Sequence, residues 1–271
     1  MKSYLEIIFQ AFLKDKSYVL NAAMVLLLMI VLLGQHDWDV KFVSNDSSQN
    51  DVFDTRTKLP DFAKINNIKD KKQQFFDFLR PKIRRANQKI KYQQVLFQKL
   101  SNEVKNNTYH SDTSRKKLIR LGVSYGLKPE NVLNQLEELS KRIDIIPESL
   151  VLAQAANESA WGTSRFSVEA NNLFGQWCFK KGCGLVPKKR NDNAVHEVEK
   201  FQSIQDAVTS YMKNLNSNRA YNSLRAIRAS LRQQGRPIKG AKLAEGLIHY
   251  SERGNSYVEE IIKMIKQNLL E

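Results

Sequence analysis

The 271-residue sequence has little with which to hold a metal: two cysteines and four histidines. Cys178 and Cys183 stand close together in "CFKKGC", and His196 follows at a distance that occurs in zinc fingers. No second histidine lies within the next few residues, so a complete zinc ligand set is missing and neither metal nor cofactor is expected. There is no GxxxxGK[ST] phosphate loop, which leaves nucleotide-dependent chemistry without its usual cradle. Internal repeats and low-complexity tracts are absent. Acidic residues are also scarce, 28 against 43 Lys and Arg, for a net charge of +15. Such an excess favours polyanionic surroundings, but no helix-turn-helix, ribonucleoprotein or basic-zipper pattern points to nucleic acid.

Long apolar runs are lacking except for one. "SYVLNAAMVLLLMIVLLG", residues 17–34, contains no charge and is just long enough to span a bilayer. Lys14 and Lys16 precede it while Asp37 and Asp39 follow, so the positive-inside rule predicts residues 1–16 in the cytoplasm and the rest outside. The run ends Leu32-Leu33-Gly34 without the small residues of a cleavage site, which favours a retained anchor over a signal peptide. A single-pass protein of the bacterial inner membrane, with an extracytoplasmic C-terminal part carrying +14, is therefore expected. In that compartment Cys178 and Cys183 are expected to form a disulfide closing a short loop.

Residues 35–60 read as a polar linker. Residues 61–128 are helical in pattern and strongly basic, with Pro81 in "FLRPKIRR" predicted to divide two amphipathic helices of a stalk-like region. Ser114 is a candidate cap for "RKKLIRLGVSYGL". "KPENVLNQLEELSKRIDIIP" reads as one helix with Pro129 in its first turn, and a catalytic domain is taken to span 129–271. One stretch, "NAVHEVEKF", alternates like a strand, sending Glu197 and Glu199 to one side and His196 and Val198 to the other.

"AQAANESAWGTSRF", residues 153–166, carries the chemistry. Pro147 opens a helix that is apolar on nearly all faces and stops near Gly162, so Glu158 falls in the last turn of a buried helix. The negative end of the helix dipole and burial both oppose its ionised form. Such a carboxyl is suited to act as a general acid, or else is merely held by neighbouring hydrogen bonds.

"LAQAANESAWGTSRF" followed by "EANNLFG", "FQSIQDAVTSYMKNLNSNRAYNSLR" and "HYSERGNSYVEEI" resembles the glucosaminidase domain of bacterial wall hydrolases, glycoside hydrolase family 73, closest to its Bax-type members. The resemblance implies a mainly α (α+β) architecture: a lysozyme-like helical domain with a small β-hairpin lobe, here preceded by the transmembrane helix and stalk. It implies the glycan strand of peptidoglycan as partner and an endo-β-N-acetylglucosaminidase activity with Glu158 as acid. Tyr250 matches the family's cleft-facing tyrosine and is a catalytic candidate, and Tyr257 is a candidate for binding substrate. Asn171, Asn172 and Phe174 of "NNLFG" would line the substrate cleft. Glu197 is the leading candidate for a second carboxylate, with Glu199 and Asp192 behind it, or the substrate's own acetamide in their place. A muramidase or lytic transglycosylase, and a non-cutting basic wall-binding module, are the competing readings.

Overall fold

In a computed structural model, which describes residues 58–108, 110–188 and 194–271, the described residues form nine α-helices and one small sheet. The expected cytoplasmic segment, membrane anchor and all but the end of the linker lie outside the described residues. So does Asp192. Among the described residues no helix is long and apolar enough to cross a membrane.

Helix α1 runs from Ile68 to Lys105. Asn67 starts it, its side-chain oxygen accepting from the amides of Lys69 and Asp70 at 2.9 and 3.1 Å. Pro81 does not divide it, contrary to the expectation of two helices. A proline removes one amide and crowds the carbonyl four residues back, here that of the exposed Asp77, where solvent can replace the lost bond. Phe75, Phe76, Leu79 and Ile83, which straddle the proline, are all buried and hold the helix on both sides of it.

Those same residues correct the stalk. Helix α1 packs along α2 (Ser111–Ser124) and also against α3 (Leu136–Arg142), α4 (Glu148–Glu158) and α6 (Ile204–Ser217). The region therefore shares its hydrophobic core with the C-terminal part. Ser114 lies inside α2 rather than at its cap, and its hydroxyl donates to Glu103. The single helix expected from Pro129 is two short 3-10 turns followed by α3, because the backbone leaves helical geometry at Gln135, φ −119°.

Helix α4 is the centre of the fold. Residues 149–156 are all buried, enclosed by α1, α8 (Gly240–Ala244) and α9 (Asn255–Gln267). A helix apolar on every face needs such enclosure. Beyond it, α5 (Arg165–Ala170) leads into three short strands: β1 (Trp177–Cys178), β2 (Gly184–Leu185) and β3 (Glu197–Glu199). They pair antiparallel in the order β1-β3-β2, with Cys178 opposite Glu197 and Leu185 opposite Val198. Helices α6, α7 (Asn222–Gln233), α8 and α9 complete a mainly helical α+β protein.

Candidate active site

Glu158 is the last residue of α4, and the chain turns sharply after it. Ala160, Trp161 and Gly162 have φ of 49°, 60° and 77°, three left-handed residues in succession. Each non-glycine residue there is disfavoured by roughly 1–2 kcal/mol, so the turn persists only because its surroundings impose it. The Ser159 hydroxyl donates to the Ala155 carbonyl at 2.6 Å and accepts from the Gly162 amide at 2.8 Å. The Trp161 ring meets Phe75 and Phe76 edge-on at 5.8 and 5.3 Å, with Lys72 over its face. A Cβ on Gly162 would lie 2.6 Å from the Phe62 ring. The position of Glu158 is thus fixed by the turn behind it, and the turn by α1.

Glu158 opens onto a cleft of 590 Å³ whose walls are largely aromatic: Phe166, Phe174, Trp177, His196, Tyr221 and Tyr250. Phe174 stacks on Tyr211 at 3.9 Å, and Tyr250 on Tyr257 at 5.2 Å. Trp177 is 56% exposed and stacks flat on His196 at 3.9 Å, forming a projecting ledge. Stacked rings at the edge of a concave site suit the apolar faces of sugars. A larger groove of 680 Å³ between α1 and α6 does not include Glu158.

Burial raises the Glu158 pKa above the ordinary carboxylate value. Hydrogen bonds from Tyr257 and Asn157 and the charge of Arg253 oppose this, and Glu260 adds to it. Burial prevails, leaving an acid that holds its proton to higher pH than a solvated glutamate.

The other expected site residues divide by where the sheet and turn place them. Phe174 and Tyr250 line the cleft with Glu158. The Tyr250 hydroxyl donates to the Phe174 carbonyl at 2.9 Å, so its proton is engaged and the ring is what it offers to the cleft. Tyr257 is 1% exposed, behind Tyr250 and against Glu158, and reaches substrate only through them.

The two asparagines do not line the cleft and instead bond backbone groups. Asn171 is the left-handed residue ending α5, φ 54°, and its amide donates to the Phe201 carbonyl at 3.0 Å. The buried Asn172 donates to the carbonyls of Gln176 and Glu199 and accepts from the amides of Phe174 and Gln176. The Asn172 side chain and the amide nitrogen of Asn171 are engaged in tying "NNLFG" to the strand beyond it.

Glu197 does not face the cleft. Its carboxylate accepts from the amides of Gly182 and Gly184 at 2.9 and 2.8 Å, beside the Cys178–Cys183 disulfide. Ligand atoms of Cys178, Cys183 and Glu197 lie within 4.8 Å of one another, but sulfurs bonded to each other offer no thiolate to a metal. Glu199, its pKa raised by burial, lines a separate cavity with Lys213 and Tyr125. The strand alternation is as the sequence indicates; it is His196 and Val198 that it turns toward the cleft. Among the described residues lining the cleft, Glu158 is the one carboxylate. The cleft roles of Trp177 and His196 are not among those expected from the sequence, although a tryptophan placed directly before a disulfide loop is a signal for one of them.

Residues 133–270, half of the chain, match the model of the glucosaminidase family, described as mannosyl-glycoprotein endo-beta-N-acetylglucosaminidase. Protein Bax of Escherichia coli (strain K12) is 38% identical over 130 residues, which are 48% of this chain and 46% of Bax. The chain thus spans about half the length of that curated relative. No solved structure matches it. A buried glutamate closing a central helix, the aromatic cleft before it and the match over the C-terminal half all agree: the chain belongs to the glucosaminidase family of glycan hydrolases.

Proposed function

We propose that this protein is an endo-β-N-acetylglucosaminidase that cuts the glycan strands of peptidoglycan, with Glu158 as general acid. The observation that carries the reading is the Glu158 carboxyl at the end of α4, its pKa raised by burial, opening onto a cleft walled by aromatic rings. The acid protonates the glycosidic oxygen as the bond to the anomeric carbon breaks. With Glu197 and Glu199 turned from the cleft, the acetamide oxygen of the same sugar meets the oxocarbenium-like centre, and water then opens the cyclic intermediate. Glu158, ionised in the first step, takes a proton from that water and is restored. The uncharged run of residues 17–34 would anchor the enzyme in the inner membrane with its cleft outside. Protease added to spheroplasts should then degrade the C-terminal part, whereas protection would refute that topology.

Digestion of purified peptidoglycan followed by mass spectrometry tests the activity. Fragments with N-acetylglucosamine at the new reducing end are expected. Muramic-acid ends or anhydro products would replace this reading with a muramidase or a lytic transglycosylase. Glu158→Gln should lower the rate by roughly 10² to 10⁴ or more while glycan binding persists. Glu197→Gln and Glu199→Gln should keep most of their activity where they fold, and Asp192→Asn checks the remaining candidate carboxylate. A wild-type rate in Glu158→Gln would overturn the acid assignment.

A further inference from the structure

Gln154 lies one helical turn before Glu158 and is fully buried in a helix whose other inward residues are nearly all apolar. An isolated buried amide is unfavourable unless its groups are bonded. Both ends are engaged: the Tyr211 hydroxyl donates to Oε1, and Nε2 donates to the Tyr257 hydroxyl at 2.8 Å. Tyr211 and Tyr257 are themselves 0% and 1% exposed, so water does not compete for these bonds.

The direction of this chain has a consequence for the acid. A phenol has one proton. Because the Tyr257 oxygen receives the amide N–H, its own proton is free to point to the neighbouring Glu158 carboxyl. Were the amide reversed, Tyr257 would have to donate to Gln154 and would present lone pairs to Glu158. In the observed arrangement the Tyr211 hydroxyl donates to Oε1, which leaves Nε2 to donate to Tyr257.

We propose that Gln154 is a positioning residue for Glu158: its carboxamide, oriented by Tyr211, makes Tyr257 a donor to one carboxyl oxygen and leaves the acidic proton on the oxygen facing the cleft. After proton transfer the same donor stabilises the carboxylate. This rests on the reading of Glu158 as the acid, but its test does not depend on turnover. The other groups around Glu158 are Arg253 and Glu260 near α9, Tyr221 and Tyr250 at the cleft wall, and His196 across the cleft. None of them is altered by the variants below.

The carboxyl carbon of Glu158, assigned by difference from Glu158→Gln, is titrated by NMR in the ligand-free protein. Tyr257→Phe removes the donor and should move the titration to higher pH by about one unit, the size of a lost hydrogen bond to a charged group. Gln154→Met should move it the same way by a smaller amount. In both variants the alkaline limb of the kcat profile should follow the titration, with kcat lowered roughly tenfold at the plateau and KM nearly unchanged. Where Gln154→Met fails to fold, Tyr211→Phe frees the amide to turn and should give the same direction of shift. An unmoved Glu158 titration in Tyr257→Phe overturns the proposal whatever the activity. A shift in Tyr257→Phe with none in Gln154→Met or Tyr211→Phe overturns the role of Gln154. Activity retained in Glu158→Gln alongside a shifted titration would instead reject the acid assignment.

Discussion

Ionised Glu158 destabilises the folded protein, and the sign of that effect can be tested apart from catalysis. Its folded pKa is raised above the reference value of 4.5, so the folded state binds the proton more tightly than the unfolded chain. The contribution of this one group to stability is therefore fully present below that reference value and is lost as pH rises toward and through the folded pKa. Glu158→Gln removes the charge and keeps an oxygen that can accept from Tyr257. Its melting temperature should exceed that of wild type at pH 7, and the gap should shrink below pH 4.5. A variant that melts lower at both pH values would show that the carboxylate is stabilised, not strained. The same residue was legible from sequence, because an apolar helix ending in a carboxylate is an electrostatic anomaly that periodicity exposes. The backbone bonds of Asn171 and Asn172 were not legible, for the opposite reason. Nothing in "NNLFG" reveals that its amides are consumed by the carbonyls of Gln176, Glu199 and Phe201, since those partners come from other parts of the chain.

Elements with a strong local signal were read well, and those set by tertiary contact were not. Helix α4, opened by Pro147 and apolar on nearly every face, lies where its pattern puts it. For β3 the alternation is a local property, whereas the direction of the cleft is not. Glu197 and His196 exchange roles according to which side of this short stretch faces the cleft, and no neighbouring residue records that choice. Close approach matters here too: a Cβ on Gly184 would lie 1.9 Å from the Val198 carbonyl, so the pairing of β2 with β3 demands glycine. Pro81 misled for the same reason in reverse. Its local preference is to end a helix, and four large buried side chains around it outweigh that preference.

At the scale of the molecule, the family match and the folded unit have different boundaries. The match begins at residue 133, while the compact unit takes in the described residues from 58 to 271. Residues 58–128 contain 18 Lys and Arg against 5 Asp and Glu, net +13 of the chain's +15, which makes them look like a solvated accessory region. Apart from the buried Lys82 most of the charges lie outward, and inward the region buries Phe62, Phe75, Phe76, Leu79 and Ile83. At roughly 2 kcal/mol for each large side chain, this burial contributes on the order of 10 kcal/mol, comparable with the whole stability of a typical domain. Polar contacts add specificity to it. Arg80 and Arg84 both pair with Glu148 at the start of α4, and Asn87 bonds the amide and carbonyl of Ile146. Residues 129–271 alone are therefore expected to lack a cooperative melt and to expose apolar surface, whereas 58–271 should melt as a unit. Phe76→Ala in the longer protein should cost about 3 to 5 kcal/mol and, through Trp161, lower glycan hydrolysis as well. Calorimetry and turnover on the two lengths decide it: a 129–271 fragment that melts cooperatively and cuts peptidoglycan would show that α1 is dispensable to the site it buttresses.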